Sequence, residues 1–211
     1  MAKQSREILV NAKEYKETTN PNEYLRTCEI DSCVGLALVE DLNGVKKRGL
    51  TYISYDTSNC YDENSVCRLS PASEQRGNNI LEKIVSQFIG LKRSKGFPKQ
   101  LEGAERIRAY VVANRTKQEK AKTSKRDIAL PDDIGQVNPM FDFILKWVCE
   151  KGLTVALSDA NSKWKKEGDK LDPNAYPIHT KIILLHPKKI NILYMKNDGK
   201  ILNSDTYSHP I

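Results

Sequence analysis

Two apolar runs joined by an Asn-Gly pair constrain this chain more than any other feature. Val34-Gly35-Leu36-Ala37-Leu38-Val39 is followed by Glu40-Asp41-Leu42-Asn43-Gly44, and a second run opens at Gly49 and continues to Tyr55. Asn-Gly tolerates the left-handed backbone that a two-residue hairpin turn demands. The stretch therefore predicts an antiparallel hairpin, with residues 34–39 returning over 49–55.

The flanking sequence supplies the other elements. Residues 6–10 (Arg-Glu-Ile-Leu-Val) read as a first strand, and Thr18-Thr19-Asn20-Pro21-Asn22-Glu23 carries turn chemistry before Leu25-Arg26 leads into a cysteine segment. Residues 59–73 are polar and without period, a surface loop. Ser73 stands three residues before Arg76, so no capping box forms there, and a helix is expected from Ile80 with Asn78 or Asn79 as its cap. Ile80, Leu81, Ile84, Val85, Phe88 and Ile89 form its buried stripe, and Gly90 or Gly96 ends it.

Residues 107–113 have strand composition, and the charged stretch after them, 114–126, reads as a mobile loop. Asn138-Pro139 opens a second helix through Met140, Phe141, Ile144, Leu145 and Val148, closed by Gly152 and followed by a strand at 153–157. Beyond a charged insertion at 162–172, residues 180–185 and 190–194 form a terminal hairpin around His186-Pro187-Lys188-Lys189. Strands, helix, strand, helix, strands, without steady βαβ alternation, predict a mixed α+β layered domain.

With 211 residues and 39% hydrophobic content, one core and a single domain over 1–211 are expected. No run reaches the roughly 18 to 20 apolar residues of a membrane span, and the first residues lack an apolar signal core, which predicts a soluble, cytoplasmic protein without a classical export signal. The five cysteines, at 28, 33, 60, 67 and 149, are odd in number and lack CxxC or Cys/His spacing. That argues for a reducing compartment and against a disulfide framework or a zinc site; neither metal nor cofactor is expected. Cys149 falls in a helical apolar pattern and reads as a small core residue. Cys60 and Cys67 flank a polar loop, where a redox pair is the alternative to two unrelated thiols.

The net charge of +7 favours acidic partners. Its cations are scattered, however, in short clusters such as Lys46-Lys47-Arg48 and Lys163, Lys165, Lys166, without interleaved aromatics. A solvated basic surface fits this pattern better than a nucleic-acid platform.

Cys33 opens the first strand of the hairpin. A thiol attacks as its thiolate, and at neutral pH only a few per cent of an ordinary cysteine is ionised, so a base or cation must assist. Thr27, six residues earlier, shares its face if the chain between is extended. On these residues alone, a buried structural cysteine and a nucleophile both remain open.

Asn20-Pro21-Asn22-Glu23-Tyr24-Leu25-Arg26-Thr27 and Asp31-Ser32-Cys33-Val34-Gly35 together resemble the NP-x-E-x-L-x-T and G-S-C-V segments of the chemoreceptor glutamine deamidase family, CheD. Gly49-Leu50-Thr51-Tyr52 resembles its G-L-A-H, Arg106-Ile107-Arg108-Ala109 its R-L-x-A, and Ile134-Gly135-Gln136-Val137-Asn138 its I-G-x-x-N. The resemblance spans about residues 6–200, with insertions near 59–71, 94–104, 115–130 and 163–177.

It implies a three-layer α/β/β sandwich and a cysteine, histidine and threonine catalytic set. Cys33 would attack the side-chain carboxamide of a protein glutamine, releasing ammonia, and water would hydrolyse the thioester. Thr27 would orient the base. The implied partner is a protein, chemoreceptor-like if the family role holds.

The departure is Tyr52, which stands where the family has its histidine. A phenol near pKa 10 is a poor base at neutral pH, although it can donate a hydrogen bond to an oxyanion. Glu29-Ile30-Asp31 replaces a glycine-rich lead-in, and Asp31 would raise the pKa of Cys33. Of the three histidines, His186 in a turn and His209 in a loose tail are expected to face solvent, leaving His179 as the imidazole to test. Three readings follow: a thiol amidohydrolase with an altered base, an inactive relative kept as a protein-binding module, and a structural or nucleic-acid role.

Overall fold

The computed structural model describes residues 5–30, 33–53, 69–91, 97–98, 100–113, 139–159, 166–167, 170–171, 180–195 and 207–211. In chain order the elements are β1 (Arg6–Val10), β2 (Tyr15–Thr18), β3 (Glu23–Thr27), β4 (Val34–Leu42), β5 (Val45–Ile53), α1 (Pro71–Ile89), β6 (Ile107–Ala113), α2 (Pro139–Glu150), β7 (Thr154–Asp159), β8 (Lys166–Glu167), β9 (Lys170–Leu171), β10 (Thr180–Leu185), β11 (Lys189–Met195) and β12 (Tyr207–Pro210). A central sheet has the order β2-β5-β4-β6-β7, an outer sheet the order β1-β3-β10-β11-β12, and β8 pairs with β9. The architecture is mixed α+β, as expected.

The β4–β5 hairpin is the spine. Asn43 and Gly44 both take positive φ, 54° and 84°, and Leu42 pairs with Val45 directly across the turn. The strands run closer to the turn than hydrophobicity indicated. The ends next to the turn set Glu40 opposite Lys47 and Asp41 opposite Lys46, residues that carry no apolar signal.

The apolar run of β4 is continuous because both of its faces are covered. Val34, Leu36 and Leu38 pack with Leu81, Val85 and Phe88 of α1 and Ile144 and Val148 of α2. Ala37 and Val39 instead join Leu25, Ile183, Leu185 and Ile192 of the outer sheet. A layer of helices, a central sheet and an outer sheet thus follow one another. Gly35 marks a close approach between the sheets: a Cβ there would run into the Ile183 side chain and lie 2.8 Å from Ile30 Cδ1.

Several expectations are corrected. Helix α1 starts at Pro71, not Ile80, and Ser70 is its cap, its Oγ accepting the Ser73 N–H at 3.2 Å. The first turns escaped notice because they bury only Ser73 and Gly77, the latter against the Phe143 ring of α2. Ile80 is 40% exposed and lies off the stripe. Gly90 does end the helix, in a left-handed conformation with Leu91 N–H donating to the Ser86 carbonyl.

Cys149 is exposed rather than in the core, since α2 turns Trp147 and Val148 inward instead. The C-terminal hairpin gains a third strand, β12, which places His209 opposite Ile190 instead of in a loose tail. The 46–48 cluster is no free basic surface: Lys46 and Lys47 donate to the carbonyls of Ile211 and Phe88, and buried Arg48 donates to those of Glu23 and Asn20. Among the described residues, no helix is long and apolar enough to cross a membrane.

A buried charge cluster bridges the sheets. Lys181 of β10 has no exposed surface; its ammonium donates to the Ala113 carbonyl of β6 at 2.6 Å and pairs with Asp159 Oδ1 of β7 at 3.2 Å. Tyr194 of β11 donates to Asp159 Oδ2 at 2.6 Å. Truncation of one member strands its partner in a dry interior. Lys181→Ala is predicted to lower the unfolding free energy by about 3–5 kcal/mol in urea melts, while Lys181→Met with Asp159→Leu recovers part of the loss. Equal stability of wild type and Lys181→Ala would contradict the clamp.

Candidate functional site

Cys33 is the residue before β4, half-buried and packed against the core between the sheets. Tyr52 lies on β5 opposite Gly35 and is 6% exposed. Residues 33, 35 and 37 alternate toward the outer sheet, as do Leu50 and Tyr52 on the neighbouring strand, so thiol and phenol share that face. The structure thus brings Cys33 and Tyr52 together.

It adds Cys28, which sequence reasoning passed over. Cys28 follows β3, and its thiol lies 3.7 Å from Asn11 Oδ1 in the β1–β2 turn and within hydrogen-bonding reach of the Tyr52 hydroxyl. The isolated pairing of Ile30 with Lys181 holds the chain just after Cys28 against β10. A lone cysteine outside a strand pattern carries no such signal.

Thr27, the last residue of β3, is fully buried. Its Oγ1 accepts the Ile183 N–H at 3.0 Å. The β3–β10 ladder covers only Arg26 with Leu184 and Leu25 with Leu185, so the threonine hydroxyl stands in for a main-chain acceptor just past its end. Its contact is to β10, where it completes the junction of the two strands.

Two histidines fall among the described residues, and both lie toward the opposite end of the outer sheet. His186 follows β10, five residues beyond Lys181, or about 16 Å along an extended strand. It stacks on Tyr24 with ring centroids 4.8 Å apart, and burial, helped by Lys189 and Arg48, holds its imidazole below the usual range. His209 meets the Tyr110 ring edge-on at 5.9 Å. The expectation that both face solvent is therefore corrected. His179, Asp31, Ser32, Cys60 and Cys67 lie outside the described residues.

The chemistry follows from Tyr52. Burial, then the Cys28 thiol and the more weakly acting Cys33, push its phenol up to about 12, because negative charge on either sulfur opposes a phenolate. At neutral pH this group donates a hydrogen bond and does not collect a proton. A 470 Å³ cleft lies between the start of β2, the end of β5 and α1, and Tyr52 contributes to its wall. Among the described residues no cluster of three or more His, Cys, Asp or Glu is placed to hold a metal.

Neither a scan of protein-family models nor a search of curated proteins returned a match to the chain.

The phenolate absorbance of wild type minus Tyr52→Phe should titrate with a midpoint near 12 instead of the ordinary 10. Between those values the unfolded chain releases the proton and the folded chain keeps it, so stability falls as pH rises through that window. A midpoint at or below 10 would remove Tyr52 from this environment.

Proposed function

We propose that the chain is a divergent member of the chemoreceptor glutamine deamidase family, retaining the scaffold as a protein-binding module without turnover at Cys33. One observation carries this reading: Tyr52, opposite Gly35 on the face of the sheet that Cys33 shares, stands in the position where the family resemblance calls for an imidazole, and burial pushes its phenol up to about 12. A positioned base contributes roughly 10²- to 10⁴-fold to rate, and a protonated phenol contributes none of it. The engagement of Thr27 with Ile183 supports the same reading, since the hydroxyl serves the β3–β10 junction.

A second reading, a protein-glutamine deamidase using Cys33, is favoured by one specific feature. Cys33 retains a half-buried position at the mouth of β4 with a hydrogen-bond donor beside it. Such a donor is suited to stabilising an oxyanion.

Ammonia release from a glutamine-containing peptide panel separates the two readings. Wild type should release ammonia no faster than Cys33→Ala, and Tyr52→His should exceed both because it installs a base titrating near neutrality. Wild-type release that is lost in Cys33→Ala would overturn the binding-module reading.

A further inference from the structure

The cleft beside Tyr52 is bordered by the edge of the central sheet. Lys13 and Glu14 of the turn before β2 line it together with Tyr15 and Lys16, and because successive strand side chains point to opposite faces, the last two place the cleft at the edge of β2. β2 is the terminal strand of its sheet. It pairs only with Arg48 to Thr51 of β5, so Tyr52 and Ile53 continue past it and border the cleft without a β2 partner. Among the described residues, no strand pairs with the outer edge of β2.

The opposite wall is α1. There Ile80, 40% exposed, supplies apolar surface beside the buried Ile84, and exposed Lys83 supplies charge. Lys13 is also exposed, on a left-handed turn residue with φ 66°. Lys16 is paired with Glu14 at 3.3 Å, which leaves the lining with a positive balance from Lys13 and Lys83. A groove between a strand edge and a helix is the geometry of strand addition, where the peptide main chain supplies affinity and alternate side chains supply selectivity.

We propose that this cleft binds an extended acidic peptide segment of a partner protein, which adds as a strand along the outer edge of β2. Its acidic side chains meet Lys13 and Lys83, and its alternate apolar side chains rest on Ile80. The proposal deepens the binding-module reading by naming the partner's chemistry, and it is independent of any reaction at Cys33. A second copy of this chain is a poorer occupant, since each copy carries a net charge of +7.

The test uses a fluorescein-labelled peptide of alternating glutamate and valine, followed by fluorescence anisotropy and by amide shifts of the ¹⁵N-labelled full chain. Binding in the micromolar range is expected, with shifts centred on Lys13 to Lys16, Tyr52 and Ile80 to Gln87. Affinity should fall at least about tenfold for Lys13→Glu/Lys83→Glu, and by a similar factor for an N-methylated peptide that cannot complete the ladder. Cys33→Ser should bind as wild type does.

Equal binding of a lysine-for-glutamate peptide, shifts elsewhere on the chain, or no binding at all would overturn the proposal. So would a wild-type dimer that dissociates on charge reversal, since it would make a second copy the occupant. Ammonia release reads Cys33 separately: turnover with peptide still bound at the cleft rejects the inactive module and leaves the groove in place.

Discussion

The ammonium of Lys181 is the contact on which the packing of the two sheets depends. It reaches from the outer sheet to the Ala113 carbonyl and the Asp159 carboxylate of the central sheet, and Tyr194 returns a hydrogen bond to the same carboxylate. Burying a charge is costly, and this cluster repays the cost only while every partner stays in place. That requirement sets the separation of the sheets at one end of the molecule, where Gly35 admits Ile183 and Ile30 without a side chain of its own. Cys33 lies in this region: Ala113 pairs with Val34, the next residue along, and Lys181 pairs with Ile30. The clamp and the candidate site therefore share a floor.

The parts of the fold legible in the sequence were those with a local cause. Asn43-Gly44 announces its turn through backbone freedom, and Gly90 ends α1 for the same reason. Elements held by tertiary pairing were not legible. Tyr15–Thr18 and Tyr207–Pro210 become strands because β5 and β11 offer them an edge, and their own residues carry little β pattern. The first turns of α1 and the outward turn of Cys149 likewise depend on how two helices meet, with Gly77 against Phe143. No periodicity within a single helix encodes that contact.

The site divides in the same way. The proximity of Tyr52 to Cys33 was expected from a resemblance, and the hairpin register delivers it through the pairing of Tyr52 with Gly35. Cys28 and the Lys181 cluster were invisible because their relevance arises only when Ile30, just past β3, pairs with Lys181 of β10. Thr27 takes a structural contact that its spacing to Cys33 does not announce. Six residues before the cysteine, its hydroxyl closes a gap in a ladder.

The central claim is that the phenol beside Cys33 stays protonated at neutral pH and so does not serve as its activating base. Exposed Cys149 provides an internal reference of unhindered reactivity. The most direct measurement is the rate of iodoacetamide labelling at each cysteine of the native wild-type protein at neutral pH, read by peptide mass spectrometry. The account predicts that Cys33 labels no faster than Cys149. Labelling of Cys33 about tenfold faster or more, the behaviour of a thiolate favoured by its surroundings, would contradict it.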